Sequence, residues 1–481
     1  MLVYVFSFVL LLSASLQAVF DLPLQLAFQQ AVLLAFLAWV FVELRGAGLP
    51  AVFAKKFLPL WCAAAFSLFS LLASPFKGQV FNEWGNYAAG LLIFIYASFL
   101  DGDSRRRTDA AVICGAWLVV FWSFAQAFWM KDLSRGAPLT NLNALALYCV
   151  LVFPLALERR SWALAAALSA LVLWTQSLGA VLAGLAAAGL YSCSRIKSGE
   201  GSQNKWLLAG LLALVIPVFY LLQADSLAGR LAWWRSAWEM FLARPLSGFG
   251  HASFTWAQAG FQGAGAFREH SIYAHNYYLE FLAENGLPAA AAWFAFLWAA
   301  LRRRGGLARY AIVAALAHSL VDFGLSVPAN FWLFCYLLAE PGARPEPAPC
   351  GRRVQAAAAA ALLLAGALLL LHFKSLAFER ARQEAAGAAL NGNAAAAGER
   401  LRPYLGPGLF RLPALELLGR INSLRAADPD RGFSSAVYYE MALLENPYSP
   451  TAWRALGRIY SAPGLERAAS GLAARKAGVY K

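Results

Sequence analysis

Apolar stretches long enough to cross a bilayer recur through the first three-quarters of the chain, separated by short polar turns. A spanning helix needs about 20 mostly apolar residues. That ruler predicts thirteen helices, at 2–20, 24–42, 57–74, 86–100, 110–129, 142–157, 161–175, 178–193, 206–222, 286–301, 308–324, 327–340 and 354–373. Only Thr175, Gln176 and Ser177 separate the two segments within 161–193. The first segment lacks the basic stretch that opens a secretory signal, so a permanent helix is expected there. The pattern predicts an all-α, polytopic helical membrane protein with about 12–13 transmembrane helices.

Composition sharpens this reading. Of 481 residues, 60% are hydrophobic and 14% charged, against roughly 25% charged in soluble domains. That excludes an ordinary soluble enzyme and a disordered chain. The net charge of +14 would suit nucleic acid in a soluble protein. In a membrane chain, basic loops fix orientation instead, so no nucleic-acid partner is expected. The six cysteines are scattered, with no CxxC or Cys/His spacing that would make a disulfide framework or zinc site.

The basic residues are distributed unevenly. With a cytoplasmic N-terminus, the even-numbered loops hold 18 basic residues, among them Arg105, Arg106, Arg107, Arg159, Arg160, Arg302, Arg303 and Arg304. The opposite loops hold seven: Lys77, Lys131, Arg135, Arg230, Arg235, Arg244 and Arg268. The positive-inside rule therefore predicts a multi-pass membrane protein with its N-terminus cytoplasmic.

Two segments leave the predicted bilayer on the outer side. One is a loop over 222–285, the only long loop of the transmembrane region 1–373; long loops of this kind carry function. The other is the tail 374–481, expected to form a separate, soluble, periplasmic helical domain. Within the tail, Ala436, Tyr439, Ala442 and Leu443 share a helical face, followed by Asn446-Pro447 and by Trp453, Leu456, Gly457 and Tyr460. Gly464 and Ala468 extend the pattern, which resembles a tetratricopeptide repeat; the tail has room for about three such units. Such helices bind partners on a concave face. The tail's 15 basic and 9 acidic residues would suit an anionic glycan, an anionic membrane surface or an acidic protein partner.

The long loop carries the chemistry. It opens with Arg230, Trp234, Ala237 and Trp238 at helical spacing, continues through Pro245-Leu246-Ser247-Gly248-Phe249-Gly250, and ends with His275-Asn276, Leu279, Glu280, Glu284 and Gly286 ahead of an apolar helix. In that order, these elements resemble the signature of the O-antigen ligase / O-antigen polymerase family of membrane glycosyltransferases. Arg135, Asn141 and Asn143 resemble that family's Arg…Asn-x-Asn loop, and His318, Ser319, Asp322 and Pro328 resemble a late-helix segment of members with a repeat tail. One departure is Ser177-Leu178-Gly179-Ala180, where the family often has Ser-Arg-Gly-Ala. The basic residue is missing here.

The resemblance implies transfer of a glycan from an undecaprenyl-diphosphate-linked oligosaccharide to an acceptor hydroxyl on the outer face, with inversion and without metal or other cofactor. A leaving diphosphate needs positive charge, which guanidinium forks supply well. Arg230 is therefore expected to act in catalysis, with Arg135 and Arg235 as further substrate contacts; Arg244 suits a helix C-terminus instead. His275 is expected to take the proton of the attacking hydroxyl. Asn143, Asn276, Glu280 and Glu284 are expected to bind substrate, the two glutamates sharing one helical face. His318 and Asp322 are also a turn apart, and as ionisable groups in an apolar run they read first as a mutual hydrogen bond. Asp101-Gly102-Asp103 looks like a metal motif but lies beside Arg105 on the opposite side, so it reads as a solvated turn.

The acceptor could be a lipid A core, a growing glycan or a protein, with membrane lipids as the surrounding partners. An alternative is a multi-pass transporter of a lipid-linked or soluble substrate. Transporters carry internal repeats and broken helices in matching halves, and neither is visible in this sequence. The topology predicts that reporter fusions at about Gly201 and Lys481 sit on opposite sides of the membrane. Two cytoplasmic signals would overturn the thirteen-helix count.

Overall fold

The computed structural model describes residues 2–42, 52, 55–130, 138–139, 141–197, 224–262, 271–342, 352–423 and 429–461. Among them every regular element is helical. The membrane-embedded part comprises α1 (Leu2–Ser13), α2 (Leu22–Val42), α3 (Leu58–Ala73), α4 (Lys77–Ala97), α5 (Gly102–Ala125), α6 (Leu142–Glu158), α7 (Trp162–Thr175) and α8 (Leu178–Lys197). Then come α9 (Ala224–Ala243) in the long loop, α10 (Tyr277–Arg303), α11 (Ala308–His318), α12 (Pro328–Leu338) and α13 (Arg352–Leu390). The tail adds α14 (Ala394–Leu401), α15 (Arg411–Ser423), α16 (Pro429–Glu445) and α17 (Pro450–Ile459).

This is the helical membrane protein that the apolar pattern predicts, with differences in individual segments. Three described helices are long and apolar enough to span a bilayer: Leu22–Phe41, Lys55–Ala73 and Gly102–Trp129. Leu142–Glu158, Trp162–Thr175 and Leu178–Tyr191 are apolar but shorter. The predicted helix at 206–222 lies outside the described residues. The break between α7 and α8 falls where expected, with Gln176 in the left-handed region (φ 53°) as the C-cap of α7.

Two predicted spans are not spans. The segment 308–324 is helical only to His318, and 327–340 becomes α12, all eleven of whose residues are buried. Eleven residues cover about 16 Å, roughly half a bilayer core. A helix that is apolar all round belongs inside a protein as readily as in lipid, so hydropathy could not separate the two. Around α12 the core is aromatic: Tyr87 lies 5.4 Å from Trp293 and 5.7 Å from Phe331 by ring centroids, and Trp332 Nε1 donates to the Asn86 carbonyl at 2.9 Å.

The two ends of α12 lie in different electrostatic surroundings. Near its start, Asn330 donates to the carbonyls of Ala144 and Gly324. Near its other end, Tyr336 donates to Asp109 at 2.7 Å and stacks under Arg105 at 3.9 Å. Asp109 also pairs with Arg105 and Arg159. Asp101 caps α5 by accepting from the Ser104 amide at 2.7 Å, and Asp103 pairs with Arg106 on the surface. That is the solvated turn expected of Asp-Gly-Asp.

The tail begins without a break. α13 runs as one helix across residues 373–374, tied to α2 by Gln30 and His372 (2.6 Å). α15 and α16 approach closely because Gly419 has no side chain: a Cβ there would come within 2.9 Å of the Tyr439 ring. The two predicted helical faces meet, with Ala436, Tyr439, Trp453 and Leu456 in one small core. A second core joins the tail to the long loop: Leu412, Leu415 and Ala442 pack with Ala237, Phe249 and Phe261. Tyr448 seals it, 5.0 Å from Phe249 and 5.8 Å from Phe261.

Removing this partly buried ring should cost about 1–3 kcal/mol of docking. Tyr448→Ala should speed hydrogen exchange in 411–423 and 249–261 while leaving α4 and α12 protected. Unchanged exchange in both segments would show that this contact does not hold the tail.

Candidate active site

The long loop is built around glycines. Gly248 (φ +61°) and Gly250 (φ +100°) let the 245–250 turn press its backbone against α10, where Gly286 (φ +75°) breaks the helix. A Cβ on Gly248 would sit 2.2 Å from the Glu284 carbonyl, and one on Gly286 2.4 Å from that of Leu246. Only a residue without a side chain tolerates both that conformation and that approach. Backbone bonds close the joint: Gly250 N donates to Glu284 O at 2.7 Å and Leu287 N to Pro245 O at 2.8 Å. Glu284 then organises the next turn by accepting from the amides of Ala252 (2.8 Å) and Phe254 (2.9 Å).

This joint fixes the start of α10, and with it His275. Asn276 is the N-cap, its side chain accepting from the amides of Tyr278 and Leu279 at 3.1 and 3.0 Å. His275 adopts φ 53°, rare for a residue with a side chain. Trp234 Nε1 donates to its carbonyl at 3.3 Å, Trp233 stacks on its ring at 4.9 Å, and Phe323 meets it edge-on at 4.9 Å. The imidazole is held from both sides.

The centre of the cluster is Asp322, 2% exposed, in the link between α11 and α12. Asn143, in the first turn of α6, donates to its Oδ2 at 2.7 Å. Arg230 of α9 approaches the same oxygen at 3.8 Å and His275 Nδ1 at 3.7 Å. The Phe323 amide donates to Oδ1 at 2.8 Å. His318 lies one turn before Asp322 and is 1% exposed. Several buried nitrogens here have no hydrogen-bond partner: Arg230 Nη1, His275 Nδ1 and both ring nitrogens of His318. Buried polar groups are ordinarily paired, so orphans converging on one place mark a site prepared for a ligand.

The sequence-predicted residues divide accordingly. Arg230, His275 and Asn143 come together on Asp322, which the sequence reads first as the partner of His318. Its signals were the i, i+4 spacing to His318 and an ionisable group in an apolar run. Arg135 lies outside the described residues. Arg235 is exposed and pairs with Glu239 at 2.8 Å. Glu280 accepts from the Ala274 amide at 2.6 Å and the Ser326 hydroxyl at 2.7 Å. Gly179, at the departure from the family motif, packs on His318, where a Cβ would meet the ring at 3.4 Å.

Burial shifts the loop's titrations. Arg230 is pushed down by desolvation while Asp322 pulls it back, which leaves a guanidinium. His251 falls to about 4 on burial, so it stays neutral beside Glu284. In the turns of α10 ahead of Gly286, burial raises Glu280 to about 7 and Glu284 well above the usual carboxylate range. Among the described residues, no three His, Cys, Asp or Glu side chains gather as metal ligands would.

The family model described as O-antigen ligase matches residues 91–294, from the end of α4 through the 245–250 turn, His275 and the Gly286 kink. No curated protein matches the chain. Residues 91–294 are thus similar to an O-antigen ligase domain, which supports a glycan-transferring membrane enzyme.

Proposed function

We propose that this protein transfers a glycan from a polyprenyl-diphosphate carrier to an acceptor hydroxyl at the outer face of the bacterial inner membrane. The observation that carries the reading is the buried cluster on Asp322, with Arg230 Nη1 left without a hydrogen-bond partner and His275 turned toward the same carboxylate. The acceptor hydroxyl attacks the anomeric carbon, and the bond from that carbon to the diphosphate oxygen breaks. His275 takes the hydroxyl proton. Its Nδ1 faces Asp322, so Nε2 is the nitrogen available as base. The 3.7 Å contact to Asp322 is longer than a hydrogen bond; such contacts tighten when substrate binds. The electron pair leaves on the diphosphate, whose charge Arg230 meets with its free Nη1.

Asn143 and Asp322 act as positioning residues that hold the arginine and the imidazole in one frame. The cluster lies at the loop end of the bundle, beside the first turn of α6. A transporter would place its site near the membrane midplane, at the junction of two repeats. The tail packs on the same loop, which supports a role for it in receiving a larger acceptor or a protein partner.

Three outcomes test this reading. With a lipid-linked oligosaccharide as donor, His275→Ala should lower transfer by about a hundredfold or more. Arg230→Lys should lose most activity, because a point charge does not replace a guanidinium fork. Transfer by both variants at the wild-type rate would overturn the assignment. Guanidinium binding of the diphosphate also predicts that a chelator leaves transfer unchanged, and a restored requirement for Mg²⁺ would move that role to a metal. Finally, Asp322→Ala strands a buried guanidinium and should cost about 3–5 kcal/mol of stability. Asp322→Asn should melt nearer to wild type yet transfer slowly. A fully active Asp322→Asn enzyme would remove Asp322 from the machinery.

A further inference from the structure

Beside the Asp322 cluster lies a second, separate concavity. It is a cavity of about 210 Å³ between the start of α4, the 251–256 turn, the first turns of α10 and the link before α12. Glu83, Glu280 and Glu284 contribute to its polar lining, and among the described residues no lysine or arginine does. The rest is largely aromatic, with Tyr87 and Tyr273 inside and Trp256, 48% exposed, at the mouth. Two short links serve both places. In the link before α10, Tyr273 lines the cavity and His275 faces Asp322. In the link before α12, Asp322 faces the cluster and Ser326 lines the cavity. Tyr273 and Phe323, stacked at 4.3 Å, form the wall between them.

The acidic lining does not stand alone. Tyr87 is 1% exposed and lines the cavity, and its hydroxyl has no hydrogen-bond partner; Gln79 Oε1, also on the lining, has none. The carboxylates are already oriented by protein donors: Glu83 by Gln25 (2.9 Å) and Asn86 (3.0 Å), Glu280 by Ala274 and Ser326, Glu284 by Ala252 and Phe254. Each carboxylate oxygen keeps a further lone pair for a ligand hydroxyl. A phosphate entering here would find, among the described residues, no lysine or arginine to neutralise it. A bound cation would need those acids ionised, and the burial that raises Glu280 and Glu284 opposes that. The matching ligand is uncharged, rich in hydroxyls, and has an apolar face for the aromatic rings.

We infer that this cavity is a subsite for one neutral sugar ring of the acceptor, distinct from the diphosphate cluster and separated from it by the Tyr273–Phe323 pair. The inference rests on the glycosyl-transfer reading above for the word acceptor, but not for the binding itself. It divides the substrates by charge: the anionic leaving group goes to Arg230, and the neutral nucleophile's sugar goes to the acids and aromatic rings.

The test is binding by the full-length protein in lipid nanodiscs, followed by saturation-transfer NMR. The probes are methyl glucoside, methyl galactoside and N-acetylglucosamine, with glucose 1-phosphate as the anionic control. At least one neutral sugar should bind, more tightly than glucose 1-phosphate. Trp256→Ala should weaken it about tenfold, and Trp256→Phe should recover most of the loss. Glu83→Gln should weaken it severalfold, with unchanged melting confirming that it folds. His275→Ala should bind the sugar as wild type does while failing to transfer. No binding by any neutral sugar, preference for the phosphate, binding indifferent to both Trp256→Ala and Glu83→Gln, or loss of binding in His275→Ala would each overturn the subsite. Wild-type protein that binds the sugar but never transfers a glycan would instead sink the proposed function and leave the subsite standing.

Discussion

A buried carboxylate cannot be left alone. Asp322 is 2% exposed, and an uncompensated charge there would cost several kcal/mol. Compensation is what gathers the site: Asn143 from α6, Arg230 from α9, and His275 from the link before α10 all reach the same oxygen. These groups are far apart in sequence. They meet because one acid, in a link that could not remain helical, needs partners from three directions. The same need explains why Arg230 tolerates burial.

The second constraint is steric. The 245–250 turn lies so close to α10 that its carbonyls and those of the helix occupy the space of two missing side chains, at Gly248 and Gly286. This joint sets where α10 begins and so where His275 points. It also faces outward to the tail, because Phe249 of the same turn packs with Tyr448, Leu412 and Leu415. The tail and α10 are thus joined through one turn of backbone. The tail looks separable by composition, but it is mechanically close to the chemistry.

The helical membrane class was legible because apolar runs of that length have few other solutions. So were Arg230, His275 and Asn143, which stand in an ordered motif, and the helix-like pairing in the tail, which shows in the spacing of Tyr439, Trp453 and Leu456. What was not legible is informative. Hydropathy reports transfer out of water, not whether the new surroundings are lipid or protein, so α12 read as a span. Asp322 was read as half of a pair with His318 because i, i+4 neighbours are visible in sequence and long-range partners are not. Asn276 and Glu284 carry the motif's residue types, yet their side chains bond backbone amides. A motif preserves scaffold and chemistry without distinguishing them.

The structure also bears on which charges set orientation. A cation engaged in a buried contact is held by the fold and says little about which side of a bilayer its loop prefers. On the side richer in basic residues, Arg105 and Arg159 are committed to Asp109, and Arg304 to Glu340. On the other, Arg230 faces Asp322 and Arg244 donates to the Ala73 carbonyl. Among the described residues, these contacts take three from 18 and two from seven. The arginine withdrawn from the poorer side is Arg230, whose charge Asp322 offsets from within the fold. A positive charge on the less basic side is disfavoured by topology, and that pairing lessens the cost.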